Sequence, residues 1–375
     1  MKKSLIILIC LITGGYSVTA AIWRVNNNPG VACDYTNFTQ EVIDNASAGD
    51  TIHIEGSVTP YNATVQVDKE LYILGPGYDL TANTETQHYK QSAKINSIKF
   101  SSGSEKSVLA GVEHMAHAQA TTTGITVAIT GTTWTGPRIT VAASNIKIIN
   151  CRLYWIDIDN SGTGELKDID IKKCWFSPGL VRTTTANGAN ILGLNIGNNF
   201  FRNQHATSAY STIILDSNTT ANIISNTFYG GFVVTVTNSS TINNNVFFNI
   251  SNKVATALTN DPTNSYNYNI FNVASLGGMI NAQNNNVQNL ETVPLNWFSG
   301  SGGNELVDAY FSAKSGSPSP IIDAGGVAIN QLGMYGGLSP YNLSGLTSIP
   351  AVYEIVMPNE VSADGFDVTI KVRAH

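Results

Sequence analysis

Short segments in which apolar and polar residues alternate recur along the chain, and six of them share one pattern. An isoleucine or tyrosine is followed three positions later by asparagine or cysteine, and a leucine or phenylalanine comes two positions after that. The six matches are Ile148–Cys151–Leu153, Ile171–Cys174–Phe176, Ile196–Asn199–Phe201, Ile223–Asn226–Phe228, Ile242–Asn245–Phe247 and Tyr266–Asn269–Phe271. The middle position returns after 19 to 27 residues. Short strands at such a variable period, without helical runs, predict a coiled β-structure whose repeats stack on one another.

Stacking would place equivalent side chains in columns through the interior, because neighbouring strands lie about 4.8 Å apart. The isoleucine and phenylalanine columns are expected to fill the core. The asparagines fall in the turn between the two strands, where asparagine tolerates the left-handed backbone conformation that turns often need. A buried amide without a partner costs about 1–3 kcal/mol, so we expect each asparagine to hydrogen bond to its neighbours in the column. Cys151 and Cys174 occupy the same column and are expected to be stacked free thiols, with a disulfide as the alternative.

This pattern resembles the right-handed parallel β-helix of the pectate-lyase-like superfamily, whose coils carry a ladder of asparagines at one turn. Residues 37–57 are similar to the N-terminal part of that family, with a short amphipathic helix, a Gly49-Asp50 turn and a first strand at Thr51–Ile54. Residues 69–77 resemble its next coil. The resemblance implies an all-β fold, a right-handed parallel β-helix with a short N-terminal capping helix. At about 24 residues a coil, the chain would form roughly ten to thirteen coils.

Three stretches near the other end resemble the closing segment of secreted bacterial β-helix proteins. They are residues 293–298, 313–325 and 332–337. In those proteins an acidic residue usually opens the last motif, whereas Gln331 stands at that position here. The resemblance therefore carries no role for that acid over to this chain.

The chain divides into three predicted parts. Residues 1–20 have the features of a signal peptide, because two lysines precede a short apolar segment and small residues precede a cleavage position after Ala20. A buried N-terminal strand is the alternative. Residues 21–350 form the predicted β-helix domain. Residues 351–375 alternate between apolar and polar, which predicts a half-buried strand in a β-hairpin that caps the last coil, or else a surface-attachment segment. The expected location is secreted or at the cell surface.

Charge and cysteine content narrow the possible partners. The 375 residues carry a net charge of −6, and loss of the two signal-peptide lysines would leave −8. Only 12% of residues are charged, so the chain lacks the basic stripe that neutralises phosphates, and no nucleic-acid partner is expected. No apolar run is long enough for a membrane span. The three cysteines that follow the signal peptide are too few for a disulfide framework.

Candidate chemistry lies on one predicted face. In β-helix enzymes of the resembled superfamily, substrate lies along the strand that precedes the asparagine-turn strand. The corresponding segments here are 137–141, 155–159, 180–184, 212–216 and 232–236. Alternation places Asp157 beside Arg182 on adjacent coils. Other charged residues expected on the same outward face are Arg138, Asp159 and Asp216.

This clustering in a charge-poor chain makes four residues the candidate catalytic group: Asp157, Asp159, Arg182 and Asp216. Two carboxylates can serve as acid and base or hold Ca²⁺, and an arginine can act beside a uronate. The alternative is a surface ion pair between Asp157 and Arg182, which would contribute under about 1 kcal/mol.

The remaining motifs do not decide between a catalytic and a binding function. The Gly-His-Gly, Asn-Thr-Asp and Arg-Ile-Lys motifs of polygalacturonase-like hydrolases are missing. His114 and His117 fall in an expected loop, where solvated histidines are predicted because no third metal ligand is identified. The expected partner is an extracellular polysaccharide. The protein would be a lyase or hydrolase of acidic glycans, or else a non-catalytic adhesin or glycan-binding surface protein, and a threonine-rich segment after His117 admits ice binding as a further alternative.

Overall fold

The computed structural model describes residues 20–83, 86–115, 137–162, 164–186, 188–202, 213–229, 234–235, 239–248, 263–271, 286–288, 308, 333–347, 349–356 and 368–373. The predicted signal peptide up to residue 19 and the segments 293–298 and 313–325 lie outside these ranges. The α-helix α1 spans Gln40–Asn45, and 3-10 turns lie at Gly333–Tyr335 and Leu343–Gly345. None of the helices within the described ranges has the length and apolar character that crossing a membrane requires.

The strands of the described residues, in chain order, are β1 (Ile22–Val25), β2 (Thr51–Ile54), β3 (Val65–Val67), β4 (Tyr72–Leu74), β5 (Lys94–Ile95), β6 (Ile98–Phe100), β7 (Val108–Ala110), β8 (Glu113–His114), β9 (Ile139–Val141), β10 (Lys147–Ile149), β11 (Arg152–Asn160), β12 (Glu165–Lys167), β13 (Asp170–Lys172), β14 (Trp175–Thr185), β15 (Asn190–Gly197), β16 (Phe200–Arg202), β17 (Ile213–Ile214), β18 (Thr219–Ile224), β19 (Thr227–Tyr229), β20 (Val234–Thr235), β21 (Thr241–Asn243), β22 (Val246–Phe248), β23 (Ser265–Asn267), β24 (Ile270–Phe271), β25 (Val287–Gln288), β26 (Ala351–Val356) and β27 (Thr369–Arg373).

Two large sheets of parallel strands make up the body of the protein. The first sheet has the order β1-β2-β4-β7-β10-β13-β15-β18-β21-β23, and β12 pairs with β15 beside this path. The second sheet has the order β25-β24-β22-β19-β16-β14-β11-β9-β6-β3, with β5, β8, β17 and β20 attached to it. The chain passes back and forth between the sheets, so each repeat, here called a coil, adds strands to both. This all-β, parallel arrangement is consistent with the predicted β-helix.

The predicted apolar columns are present in both sheets. In the first sheet the column of Ile148, Ile171, Ile196, Ile223 and Ile242 is in register on consecutive strands and fully buried. In the second sheet the column consists of Leu153, Phe176, Phe201, Phe228, Phe247 and Phe271. Neighbouring phenyl rings of this column stack with centroids 4.6 to 5.0 Å apart. Each such buried side chain contributes roughly 1.5–3 kcal/mol to folding.

The predicted asparagine column forms a continuous hydrogen-bonded ladder. The Oδ1 atom of Asn226 accepts from the backbone N–H of Asn199 at 2.9 Å and from its Nδ2 at 3.0 Å. The same pair of bonds joins Asn226 to Asn245, Asn245 to Asn269 and Asn269 to Asn286. Asn286 thus extends the ladder one coil beyond the six matches found in the sequence. The Nδ2 of Asn226 also donates to the carbonyl of Ile196 at 2.8 Å, so the buried amides are paired along the whole ladder.

The left-handed residue of each turn is not the ladder asparagine but the residue before it. These preceding residues have φ between 54° and 56°: Asn150, Lys173, Asn198, Ser225, Asn244 and Tyr268. The prediction that the ladder asparagines themselves adopt the left-handed conformation is therefore wrong, because that conformation lies one residue earlier in the chain. The left-handed residue turns the chain from a strand of the first sheet into a strand of the second, and the side chain of the next residue lies in the interior, where the ladder forms. A left-handed conformation costs a non-glycine residue about 1–2 kcal/mol, which the ladder must offset.

Cys151 and Cys174 continue the ladder column without forming a disulfide, as predicted. Both are fully buried, and the backbone N–H of Cys174 donates to Oδ1 of Asn199 at 2.9 Å. The thiol of Cys151 contacts the carbonyl of Ile149 at 3.1 Å. Burial, reinforced by the neighbouring Cys151, raises the pKa of Cys174. Cys174 is therefore a protonated thiol, and both cysteines pack in the interior of the column.

The N-terminal part begins one strand earlier than predicted. Helix α1 is present, and its Val42 and Ile43 side chains join the core. The strand β2 follows the turn as expected, but β1 precedes it and pairs with it in parallel, Trp23 opposite Ile52. The prediction of Thr51–Ile54 as the first strand is therefore wrong, because the indole of Trp23 extends the apolar column by one more coil.

Residues 333–347, here called the strap, run back along the asparagine turns. At one end the backbone N–H of Gly333 donates to the carbonyl of Asn244 at 3.2 Å. In the middle Nδ2 of Asn198 donates to the carbonyls of Met334 and Gly336 at 3.0 and 2.7 Å. At the other end Oγ1 of Thr347 donates to the carbonyl of Gly75 at 2.9 Å. The strap thus brings the chain from a late coil back to an early one.

The strands β26 and β27 form the predicted hairpin as a separate antiparallel sheet. It does not cap the last coil, because the strap has returned the chain to the early coils, and the carbonyl of Val352 accepts from the backbone N–H of His88 at 2.7 Å. The strand around Val372 is also not half-buried as predicted, since Ile370 and Val372 are 56% and 58% exposed. The first apolar residue of the alternating segment 366–373 is Phe366, and it lies outside the described residues.

Candidate functional site

Three charged side chains meet on the outer side of the second sheet. Asp157 on β11 pairs in register with Arg182 on β14, and the two side chains form an ion pair of 2.9 Å. Arg138, next to β9 on the preceding coil, reaches the other carboxylate oxygen of Asp157 at 3.1 Å. The structure thus brings together Asp157, Arg182 and Arg138, as alternation predicted. We call these three residues the arginine cluster.

An indole completes the surroundings of Asp157. Nε1 of Trp155 donates to Oδ1 of Asp157 at 2.7 Å, and the guanidinium carbon of Arg182 lies 5.4 Å from the centroid of the Trp155 ring. Trp155, Tyr154 and Leu180 form a small apolar group outside the main core. A cation over an indole face contributes roughly 0.5–2 kcal/mol. The ring therefore holds Arg182 at the same time as it donates to Asp157.

The bend of β11 explains why an aromatic residue can reach this position. Leu153 and Ile156 both point into the core, and two residues instead of one separate them. The strand register shifts between Leu153 and Trp155, which marks the corner of the coil. Both intervening side chains, Tyr154 and Trp155, therefore lie on the outside. Alternation backwards from Asp157 places Trp155 outward, whereas alternation forwards from Leu153 would place it inward, and the bend reconciles the two. The hydrogen bond from Trp155 to Asp157 was not predicted from the sequence.

Asp157 is buried although it lies on the outer face. Its exposure is 5%, whereas the side chains of Arg138 and Arg182 are 36% and 19% exposed. Both carboxylate oxygens accept hydrogen bonds from positively charged or N–H donors. A general acid or base must reach the proton of a substrate, and a Ca²⁺ ligand must present oxygen to the ion. Asp157 is therefore better suited to positioning the two guanidinium groups.

A column of outward positions, two of them basic, passes through the cluster along the stacking direction. The outward positions on consecutive strands are in register: Gln66, Lys99, Thr140, Asp157, Arg182 and Ile214. Lys99 is exposed and lies two strands from Asp157, about 10 Å away by strand spacing. Lys99 was not predicted as part of this face, although its position between the inward-pointing Ile98 and Phe100 places it outward. Lys99, Arg138 and Arg182 together give this face a positive character.

The structure does not bring the other two predicted residues into contact with the cluster. Asp159 is half-buried and pairs in register with Thr184. Asp216 accepts hydrogen bonds from the backbone N–H and hydroxyl of Thr185, at 2.6 and 2.7 Å, and from the hydroxyl of Thr219 at 2.9 Å. These bonds fix the turn between β17 and β18, so Asp216 has a structural role in this geometry.

His114 is a buried strand residue and not the solvated loop residue that was expected. It lies on β8 with 0% exposure. Burial lowers the pKa of His114 to about 4, against a smaller raising effect of the Asn96 backbone. The expectation fails because Glu113 and His114 extend the second sheet, pairing with Lys94 and Ile95. His117 lies outside the described residues.

A second ion pair joins the buried Arg152 to the half-buried Asp79. Arg152 is opposite Glu113 in register, and its Nη1 contacts Oδ1 of Asp79. Burial outweighs the attraction of Arg152 and raises the pKa of Asp79 to about 6. Ser344 of the strap donates to the carbonyl of Asp79 at 3.2 Å. This pair therefore lies beneath the strap and contributes to its docking.

Within the part of the chain that the structure describes, no group of three or more His, Cys, Asp or Glu residues is arranged to hold a metal ion. Ca²⁺ binding stays a prediction. Comparison of the chain with protein-family models, with curated proteins and with solved structures found no match.

Proposed function

We propose that this chain is an exported, right-handed parallel β-helix protein that engages acidic extracellular polysaccharide along the outer face of its second sheet. The right-handed winding is inferred from the strong preference of parallel strand connections for that hand. Export is inferred from the lysines, apolar segment and small residues of positions 1–20. The preference for an acidic polymer is inferred from the arginine cluster and Lys99.

The arginine cluster carries the proposal. Guanidinium groups recognise carboxylates and sulfates through paired N–H donors, and they do so best when their orientation is fixed beforehand. The buried carboxylate of Asp157 holds Arg138 and Arg182 in place. With two positive charges and one negative, the cluster keeps a net positive charge that an acidic sugar can neutralise.

The straight column of outward positions suits a linear polymer. Equivalent side chains follow one another at about 4.8 Å along the stacking direction. Lys99 and Arg182 belong to this column, and Arg138 contacts it through Asp157. A chain of acidic sugars that lies along the column would meet positive groups over several coils. A single small anion would use only one of them.

Binding without cleavage fits the cluster better than catalysis, because both oxygens of Asp157 are already occupied. Cleavage of the bound polymer is the second candidate, and Asp159 favours it, since this half-buried carboxylate lies two residues along the same outward face. A catalytic Asp159 would produce shorter chains from an acidic polymer, and Asp159→Asn would abolish them while leaving binding intact.

A panel of purified polysaccharides tests the proposal. The exported protein is expected to retain polygalacturonate and alginate in a pull-down. It should not retain methyl-esterified or neutral polymers of equal length. Parallel incubation with and without Ca²⁺, followed by size analysis of the polymer, separates binding from cleavage. Equal retention of acidic and neutral polymers, or retention of neither, would contradict the proposal.

A further inference from the structure

The side chain of Asp50 ties the segment around β1 to the turn before β2. Its Oδ1 atom accepts from the backbone nitrogen of Ala21 at 2.7 Å. Its Oδ2 atom accepts from Nε1 of Trp23 at 2.9 Å and from the backbone N–H of Ser47 at 2.8 Å. Three donors from two separate segments thus converge on one carboxylate that is 3% exposed.

This carboxylate is ionised and buried, yet no cationic side chain of the described residues pairs with it. Burial alone would raise the pKa of Asp50, but the hydrogen bonds from Trp23, Ala21 and Ser47 outweigh it and hold the pKa below its usual range. Among the described residues, none of the Lys, Arg or His side chains forms an ion pair with Asp50. Buried carboxylates are normally paired with a positive charge.

The nitrogen closest to Asp50 belongs to the residue that follows the predicted cleavage position. Ala20 and Ala21 are both exposed. The backbone of Ala21 is nevertheless held in place, because the N–H of Thr51 donates to its carbonyl at 2.8 Å. Hydrolysis of the Ala20–Ala21 peptide bond adds water: hydroxide goes to the carbonyl carbon of Ala20 and a proton to the nitrogen of Ala21. The released α-amino group is protonated at neutral pH.

We propose that the α-ammonium group of Ala21, released by cleavage after Ala20, forms an ion pair with Asp50 and supplies the missing positive charge of this turn. Removal of the leader would then convert a neutral amide contact into an ion pair and stabilise the first coil. The inference rests on the export in the proposed function, and not on its polysaccharide binding.

The test uses the full chain, exported from a bacterial host, with the N-terminus of the product read by mass spectrometry. The product is expected to begin at Ala21. The pH dependence of carbamoylation of its α-amino group by cyanate is then measured by mass spectrometry of the N-terminal peptide. The labelling midpoint is the pH at which carbamoylation reaches half of its maximal rate. In the folded protein it should lie at a higher pH than in the same protein unfolded in urea, because the ion pair favours the protonated amine.

Two variants make the assignment specific. Asp50→Asn should return the labelling midpoint to the unfolded value, whereas the matched control Asp68→Asn, at an exposed carboxylate, should leave it raised. If Asp50→Asn fails to fold, the labelling midpoints of the folded and the urea-unfolded wild type still show whether the α-amino group forms an ion pair. A product that keeps the leader or begins elsewhere, or a folded midpoint equal to the unfolded one, would overturn the inference. Loss of polysaccharide binding alone would not affect it.

Discussion

Asp157 and Arg182 are 25 residues apart in the chain, yet their side chains form an ion pair of 2.9 Å on neighbouring strands. One coil separates them, so the repeat length places them in register and the alternation within each strand turns both outward. The carboxylate is buried and holds a second guanidinium, that of Arg138. The pair is therefore the centre of a positively charged cluster. Its contribution to protein stability and its contribution to polysaccharide binding can be tested separately.

Asp157→Ala should lower the free energy of unfolding by about 1.5–3 kcal/mol, because it leaves two guanidinium groups and the Trp155 N–H without their shared acceptor. Asp159→Ala is the matched control, two residues along the same face, and should change stability by no more than about 0.5 kcal/mol. Urea unfolding followed by far-UV circular dichroism measures both. Equal effects of the two substitutions would argue against the positioning role of Asp157.

Asn226→Ala should destabilise the protein by about 1–3 kcal/mol, because it removes the acceptor of Asn199 and a donor to Asn245 inside the core. The control is Asn222→Ala, an exposed asparagine on the same coil that bonds to Asn195 at 2.9 Å, and it should cost about 0.5 kcal/mol or less. Thermal and urea unfolding of the two variants compares them directly. A parent-like unfolding midpoint for Asn226→Ala would refute the energetic importance of the ladder.

Lys173→Gly should stabilise the protein by up to about 1 kcal/mol. Lys173 is held at φ 56°, and glycine relieves the strain of about 1–2 kcal/mol at the expense of a more flexible unfolded chain. Lys172→Gly is the matched control within β13, where the same substitution should destabilise by about 0.5–1 kcal/mol. Urea unfolding should therefore show a higher free energy of unfolding for Lys173→Gly and a lower one for Lys172→Gly. Destabilisation at both positions would count against a strained turn.

His114 predicts a pH dependence of stability. Its folded pKa of about 4 lies below the usual value of 6.5, so between these pH values the unfolded chain binds a proton that the folded protein does not. The free energy of unfolding that depends on neutral His114 is fully present above pH 6.5. It falls by about 3 kcal/mol in all as the pH is lowered towards 4. Asp79, with a raised pKa, acts in the opposite direction over part of this range.

The comparison that isolates His114 is wild type against His114→Phe, because other titrating groups cancel in the difference. Unfolding free energies are measured in urea between pH 4 and 7.5. The wild type should lose stability relative to the variant as the pH falls through this window. A constant difference between the two proteins would mean that His114 is not buried in its neutral form.

The sequence predicted those features that depend on the repeat alone. The columns through Ile171 and Phe176 follow from alternation and spacing, and so does the outward pairing of Asp157 with Arg182. Asn286 was missed because it follows Asn269 after only 17 residues, and because Gln288 stands where the pattern requires a large apolar residue.

Features that depend on contacts between distant segments could not be predicted. The return of the strap to Gly75 is fixed by bonds between residues 272 positions apart, which no local pattern encodes. The hairpin was therefore assigned to the wrong end of the protein. The contact of Trp155 with Asp157 was also missed, because the alternation that runs from Leu153 would turn Trp155 inward, and the corner in β11 restores the outward face that it shares with Asp157.

The most direct test of the proposed function is the affinity of the exported protein for polygalacturonate, measured by calorimetry for wild type, Arg138→Gln and Lys147→Gln. Lys147 is an exposed basic residue on the first sheet, so its substitution removes the same charge from a different face. Arg138→Gln should weaken binding about tenfold or more at low salt, which corresponds to about 1.4 kcal/mol, while Lys147→Gln should bind as the wild type does. Equal affinities of all three proteins, or equal losses in both variants, would contradict a binding site at the arginine cluster.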